Sequence, residues 1–165
     1  PTAKGYPASV MSLIPSLVER AGMGDTTSGG SITGIYTVLA DGDDTNDPVV
    51  DSARAILDGH VVLSRANAQM GIYPAVDISA SISRVMNDIV DPKHLAAARR
   101  MRQLVSLYME NRDLMLMGGY VEGQDADLDQ AVKLWPKIVE FISQRSDSRA
   151  DFKTSIRDLL AVAGT

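Results

Sequence analysis

"SITGIYTVLADGDDTNDPVVDSARAILDGHVVLS", residues 31–64, decides the fold class. It opens on a β-branched run, "SITGIYTVLA" at 31–40, with the length and composition of a buried strand. The "DGDDTNDP" that follows ends with Asp47 as an N-cap and Pro48 at the first helical position, and so opens a helix that runs through Leu57 and closes at Gly59. "HVVLS" at 60–64 is a second short strand. Strand, helix and strand at this spacing predict a parallel pair with a right-handed crossover, the unit of α/β folds.

On the N-terminal side, Val10, Leu13, Ile14, Leu17 and Val18 recur at helical spacing. They predict an apolar-faced helix ending near Gly22, kinked or restarted at Pro15, before the loop "MGDTTSGGS" at 23–31. On the C-terminal side no strand signal follows Ile82. Asp91-Pro92 is another cap-plus-proline start, with Leu95, Ala98, Met101, Val105 and Tyr108 along one face. After the glycine-punctuated acidic loop "MGGYVEGQDAD" at 117–127, the apolar positions from Leu128 to Ile142 predict two short helices split at Pro136. A last helix carries Phe152, Ile156, Leu159 and Ala163. The chain is therefore expected to be α/β and then all-α, with residues 1–90 and 91–165 as its two parts.

Composition narrows the function classes. With 165 residues, 45% of them hydrophobic, the chain can bury a core. A net charge of −5 argues against sequence-independent binding to nucleic acid, which needs clustered cations; the one basic cluster, Arg99, Arg100 and Arg102, is local. No apolar run approaches the ~18 residues of a bilayer span. The absence of cysteine removes disulfide and thiolate-metal chemistry and fits a reducing, cytoplasmic setting. Pro1 and the residues after it carry no start signal, so a fragment of a longer protein is expected.

Most motif chemistry fails on spacing. An EF-hand begun at Asp41 would need Gly at its sixth position and Glu at its twelfth, where Asn46 and Ser52 stand. His60 and His94 lack the partners of a zinc site or a triad, so no metal site is expected. Gly29-Gly30 precedes a strand and not a helix, and no GxxxxGK[ST] occurs. Two residues in "GIYPAVDISASISR" at 71–84 remain: Tyr73, presented by a proline turn, and Arg84, following small residues at the end of the α/β part. From the residues alone Arg84 either pairs with a surface carboxylate or serves a site, and both readings stay open.

Together "KGYPASV" at 4–10, residues 29–65, "GIYPAVDISASISRVM" at 71–86 and "MGGYVEG" at 117–123 resemble the C-terminal part of the flagellar protein-export ATPase. That family is related to the injectisome type III secretion ATPases and to the rotary F-type and V-type ATP synthase subunits. The resemblance implies the end of a RecA-like P-loop nucleotide-binding domain followed by a small helical domain, in a homohexamer that hydrolyses ATP with Mg at subunit boundaries. P-loop, catalytic glutamate, Walker B aspartate and Mg ligands would all lie outside this chain, leaving it inactive alone.

Residue by residue, Arg84 matches the arginine finger that completes a neighbouring subunit's site, and Tyr73, with Pro74 fixing its turn, matches the aromatic against the adenine. Phe152 falls near a second adenine-facing aromatic, although its register also fits core packing. Gly118, Gly119, Tyr120 and Glu122, and in a second loop Asp43, Asp44 and Asp47, match coupling loops that face a central stalk; as residues alone they are equally solvated acidic turns. Expected partners are the stalk, regulatory and export-gate proteins, export substrates and chaperones, at the membrane periphery in the cytoplasm. The injectisome ATPase, a non-catalytic rotary subunit and a helical docking module are the alternatives.

Overall fold

The computed structural model describes residues 5, 7–27, 29–40 and 47–164. They fall into two compact units, Pro1–His60 and Val61–Thr165.

In the first unit, α1 (Ala8–Val18) packs with α2 (Pro48–Ile56). Pro15 lies inside α1, which passes through it without ending. At the start of α2, Asp47 is buried and accepts the Val49 and Val50 amides at 2.8 and 3.4 Å, as the cap-plus-proline pattern requires. The long strand expected at 31–40 is not formed. Among the described residues of this segment only β2 (Ser31–Ile32) is paired, antiparallel to β1 (Gly22–Met23) and not parallel to the next strand. A buried strand needs ladder partners and a covering layer. Among the described residues nothing supplies them to 33–40, where Ile35 and Leu39 are more than 90% exposed. Together with Ile32, Tyr36 and Val38 they make an apolar run that water penalises. The 165-residue chain by itself is therefore expected to self-associate at micromolar concentration; monodisperse monomers in light scattering would contradict this.

The second unit is better covered. β3 (Gly59–Leu63), whose first two residues close the first unit, leads into α3 (Arg65–Gln69), and β4 (Val76–Ser83) pairs with β3. The short α4 (Met86–Ile89) then gives way to α5 (Pro92–Leu116), α6 (Ala126–Ile142) and α7 (Phe152–Ala163), which pack on one another. Asp91 caps α5 by accepting the Lys93 and His94 amides at 3.0 Å each. Those amides, the His94 bond above all, hold its carboxyl below the usual range. Asp125 and Asp151 cap α6 and α7 in the same way.

Ala97, Met101, Leu104 and Val105 are the buried stripe of α5, at the i, i+4, i+7, i+8 spacing of a core-facing helix. They meet Ala131 and Ile138 of α6 and Leu159 and Ala163 of α7. The break expected at Pro136 does not occur. One helix runs from 126 to 142, because the proline forfeits a single intrahelical bond while Leu128, Ala131 and Ile138 bury a continuous face across it. Beside this core Tyr108 and Trp135 stack with ring centroids 3.8 Å apart and planes 7° from parallel.

Candidate functional site

Arg84 follows directly on β4, and the strand that delivers it is braced from several sides. Ser81 Oγ donates to the Asp77 carbonyl at 2.5 Å, and the Ala80 amide donates to Asp77 Oδ1 at 2.9 Å. Bonds between residues three and four apart cannot form along a straight strand, so β4 bends between 77 and 81. Arg102 on α5 donates to the Ser81 carbonyl at 2.9 Å, Ser79 and Ser106 hydroxyls lie 3.1 Å apart, and the Val62 amide donates to Ser81 Oγ at 2.9 Å. The bend thus has fixed partners on β3 and α5. Beyond it Arg84 is exposed, next to a shallow cavity of about 170 Å³ lined by Ile82, Ser83, Asn87, Arg99 and Arg102.

Tyr73 lies in the turn before β4. Ile72 is buried, whereas the Tyr73 ring is more than half exposed on a cis peptide bond to Pro74. Gly71 takes φ +76°, a left-handed conformation that side chains resist. The turn is tied down on both flanks: the Ile72 amide donates to the Asn67 carbonyl at 3.0 Å, Asn67 Nδ2 to the Val76 carbonyl at 2.9 Å, and the Ser64 amide to the Ala75 carbonyl at 2.7 Å. The Gln144 amide, just past α6, donates to the Tyr73 carbonyl at 2.7 Å. None of these ties was visible in the sequence.

Phe152 is not a core residue. It opens α7 at 72% exposure and meets His94 edge-on, with centroids 6.2 Å apart.

The loop after α5 is ordered by its own chemistry. Gly118, at φ +76°, donates to the Met115 carbonyl and Gly119 to the Leu114 carbonyl, the two bonds of a Schellman ending. A Cβ at Gly119 would run into the Leu114 side chain. Asp129 of α6 then holds the loop with both oxygens, accepting the Tyr120 hydroxyl at 2.7 Å and the Gly123 amide at 2.8 Å. That hydrogen bond, with the carboxylate's charge, pushes the Tyr120 phenol up to about 12. Glu122 stands exposed at the loop. Of the second acidic loop, Asp43 and Asp44 lie outside the described residues, and Asp47 is the buried cap of α2. Among the described residues no cluster of three or more His, Cys, Asp or Glu could hold a metal ion. No helix among them is long and apolar enough to cross a membrane.

The sequence pattern of the ATP synthase alpha/beta family, nucleotide-binding domain, matches residues 1–83, which end one residue short of Arg84. The chain belongs to the ATP synthase alpha/beta family. Residues 90–161 match a second pattern, the C-terminal domain of the type III secretion ATPase EscN. The fold is therefore that of the α/β end of this family's nucleotide-binding domain, continued by an all-helical C-terminal part.

Among curated relatives, the flagellum-specific ATP synthase of Salmonella typhimurium is 52% identical over 96% of this chain. The chain spans about a third of that relative's length, 35%. Among solved structures, the assembled ATPase EscN from the enteropathogenic E. coli type III secretion system superposes with a TM-score of 0.90 at 42% identity, over 96% of this chain and 38% of that one. EscN in complex with its central stalk EscO superposes at 0.84 and 40% identity, over 96% and 37%.

Proposed function

We propose that this chain is the C-terminal part of a flagellar-type export ATPase, which hydrolyses ATP in a homohexamer to energise protein export. The observation that carries the reading is Arg84: an exposed arginine at the end of a bent, externally braced strand, in a chain whose own sequence holds no P-loop. A guanidinium is charged at every working pH and forks its donors, so it can stabilise charge developing on a transferred γ-phosphoryl group. The phosphates it serves belong to the neighbouring subunit. Bracing matters because a donor fixed beforehand costs no reorganisation when the charge appears.

Tyr73 offers its exposed ring to the adenine of the subunit's own ATP, presented by the turn to Pro74. Phe152, exposed beside His94, is a second aromatic available to the base. Mg and the β- and γ-phosphates are held by the P-loop part of the full protein, so this chain by itself does not turn ATP over. The division between the nucleotide-binding and helical parts falls near Val90.

The loop carrying Gly118, Gly119, Tyr120 and Glu122 faces a central stalk, and the EscN–EscO complex supports a stalk partner for this chain. Its pinning by Asp129 lets it act as a stiff lever and not as a slack turn. Asp43 and Asp44 belong to a second such loop, while Asp47 is committed to capping α2. Regulatory and export-gate proteins, export substrates and chaperones complete the partners, with the protein cytoplasmic and peripheral to the membrane. The flagellar reading is placed above the injectisome one because 52% identity to a flagellum-specific relative exceeds the 42% to EscN.

The test is ATP turnover per subunit of the full-length protein, followed across the concentration range in which rings assemble. Since an arginine finger supplied in trans is worth roughly 10³–10⁵ in turnover, the per-subunit rate should rise by orders of magnitude as rings close. A rate independent of assembly sinks the proposal.

A further inference from the structure

Asn67 lies on α3, six residues before Tyr73, and uses its backbone and side chain on two points of the same turn. Its carbonyl accepts the Ile72 amide at 3.0 Å, and its Nδ2 donates to the Val76 carbonyl at 2.9 Å. These are the residue immediately before Tyr73 and the first residue of β4. Asn67 thus spans the segment that carries Tyr73 and Pro74. Its own amide is fixed by Ser64 Oγ at 3.3 Å, the N-cap bond of α3, so the clamp is itself anchored. A hydrophobic side chain at 67 would leave the Val76 carbonyl without this donor in a partly buried place, where a lost partner is costly.

The turn needs such a clamp. Tyr73 is largely exposed, so packing alone does not fix its ring; what fixes it is the backbone beneath, through Asn67 on one side and the Gln144 amide on the other. A stacking aromatic contributes to affinity to the extent that its orientation is settled before the ligand arrives.

We infer that Asn67 is a positioning residue for the base-binding aromatic: its carboxamide holds the turn so that the Tyr73 ring is presented to a nucleobase. This rests on the proposed role of Tyr73. Asn67 touches neither nucleotide nor reacting atoms, and its effect is on affinity and not on the chemical step.

The deciding variant is Asn67→Asp in the full-length protein, which keeps shape and volume but loses the Nδ2 donor and turns a carboxylate toward the Val76 carbonyl. KM and kcat for ATP, equilibrium affinity for ADP and the thermal midpoint are measured for it, for Tyr73→Ala, and for the double variant. The expected result for Asn67→Asp is a KM raised about tenfold, as loss of one hydrogen bond at a partly buried site implies, with kcat within twofold. The double variant should bind ADP no more weakly than Tyr73→Ala alone, because both changes remove one interaction. Inorganic tripolyphosphate, which has no base, should bind all variants equally.

If Tyr73→Ala weakens ADP binding while Asn67→Asp does not, or if the two losses multiply, the positioning role is overturned and the Tyr73 reading survives. If Tyr73→Ala leaves ADP affinity unchanged, the Tyr73 reading falls and the inference with it. A parallel loss of tripolyphosphate binding in Asn67→Asp would mean a general structural defect and would overturn the inference too.

Discussion

Arg84→Ala is expected to lower ATP turnover of the assembled full-length protein by about three orders of magnitude, while ADP affinity, ring formation and thermal midpoint stay where they were. A thousandfold loss corresponds to about 4 kcal/mol of transition-state stabilisation. Ground-state properties are spared because the bonds that shape the strand come from Asp77, Ser81 and Arg102. Arg84→Lys keeps the charge but not the fork of donors and should recover only a small part of the rate. Position across the subunit boundary is tested by mixing. Rings combining Arg84→Ala subunits with subunits whose own P-loop is disabled should regain activity, since some interfaces then pair an intact P-loop with an intact Arg84. If the mixture is as dead as its components, Arg84 does not act in trans, and unchanged turnover in Arg84→Ala would make it a structural arginine.

How far that site could be read from the sequence depended on whether each signal was local. The Asp47-Pro48 and Asp91-Pro92 starts were legible because a cap and a fixed φ act within one turn, and α2 and α5 begin at those residues. The stripe of α5 was legible only in part: Met101 and Val105 are buried as the period requires, but Leu95, Ala98 and Tyr108 are half-buried and the fully buried Ala97 and Leu104 were not in the expected stripe, because periodicity does not say where a second and third helix will pack. Residues 33–40 misled. Their composition describes a strand inside a larger sheet, and composition does not say whether the partners are present. Pro136 misled in the opposite direction, as a local breaker overruled by a buried face that continues past it.

The braces of the site were the least legible part. The bond from Arg102 to the Ser81 carbonyl crosses 21 residues, and that from Gln144 to Tyr73 crosses 71, with no pattern in the chain to announce either. Asn67 in "RANAQM" has the look of an ordinary polar helix residue; only the turn folding back on α3 makes it a clamp. Asp129 was likewise one acid among several until both its oxygens were seen to hold the loop. Resemblance could only nominate Arg84 and Tyr73. What holds them in place required the fold.

Leu104→Ala carries the other large effect, and it lies in the helical part. Leu104 is fully buried, where α5 meets α6 and α7, and Ile138 of α6 is its only rival in the described core for bulk at complete burial. Truncating a leucine in such a place loses the transfer energy of the removed carbons and leaves a cavity that packed helices cannot close, in all about 2–5 kcal/mol. Ile138→Val removes one methylene and should cost about 1 kcal/mol. Both are read from the chemical denaturation midpoint of the full-length protein followed by a probe in α5–α7, with the slope unchanged. The functional consequence differs in kind from that of Arg84→Ala. The Schellman ending of α5 and the Asp129 clamp on α6 together shape the 117–125 loop, so loosening the junction of these helices frees the loop, while the Arg84 strand loses its α5 braces, Arg102 and Ser106, but keeps those from Asp77 and the Val62 amide. Leu104→Ala should therefore weaken capture of a stalk partner at temperatures where basal turnover of the assembled ring persists. Stability lost by less than 1 kcal/mol would show that the core repacks around the gap, and stalk affinity retained through unfolding of the helical unit would remove the loop from the coupling route.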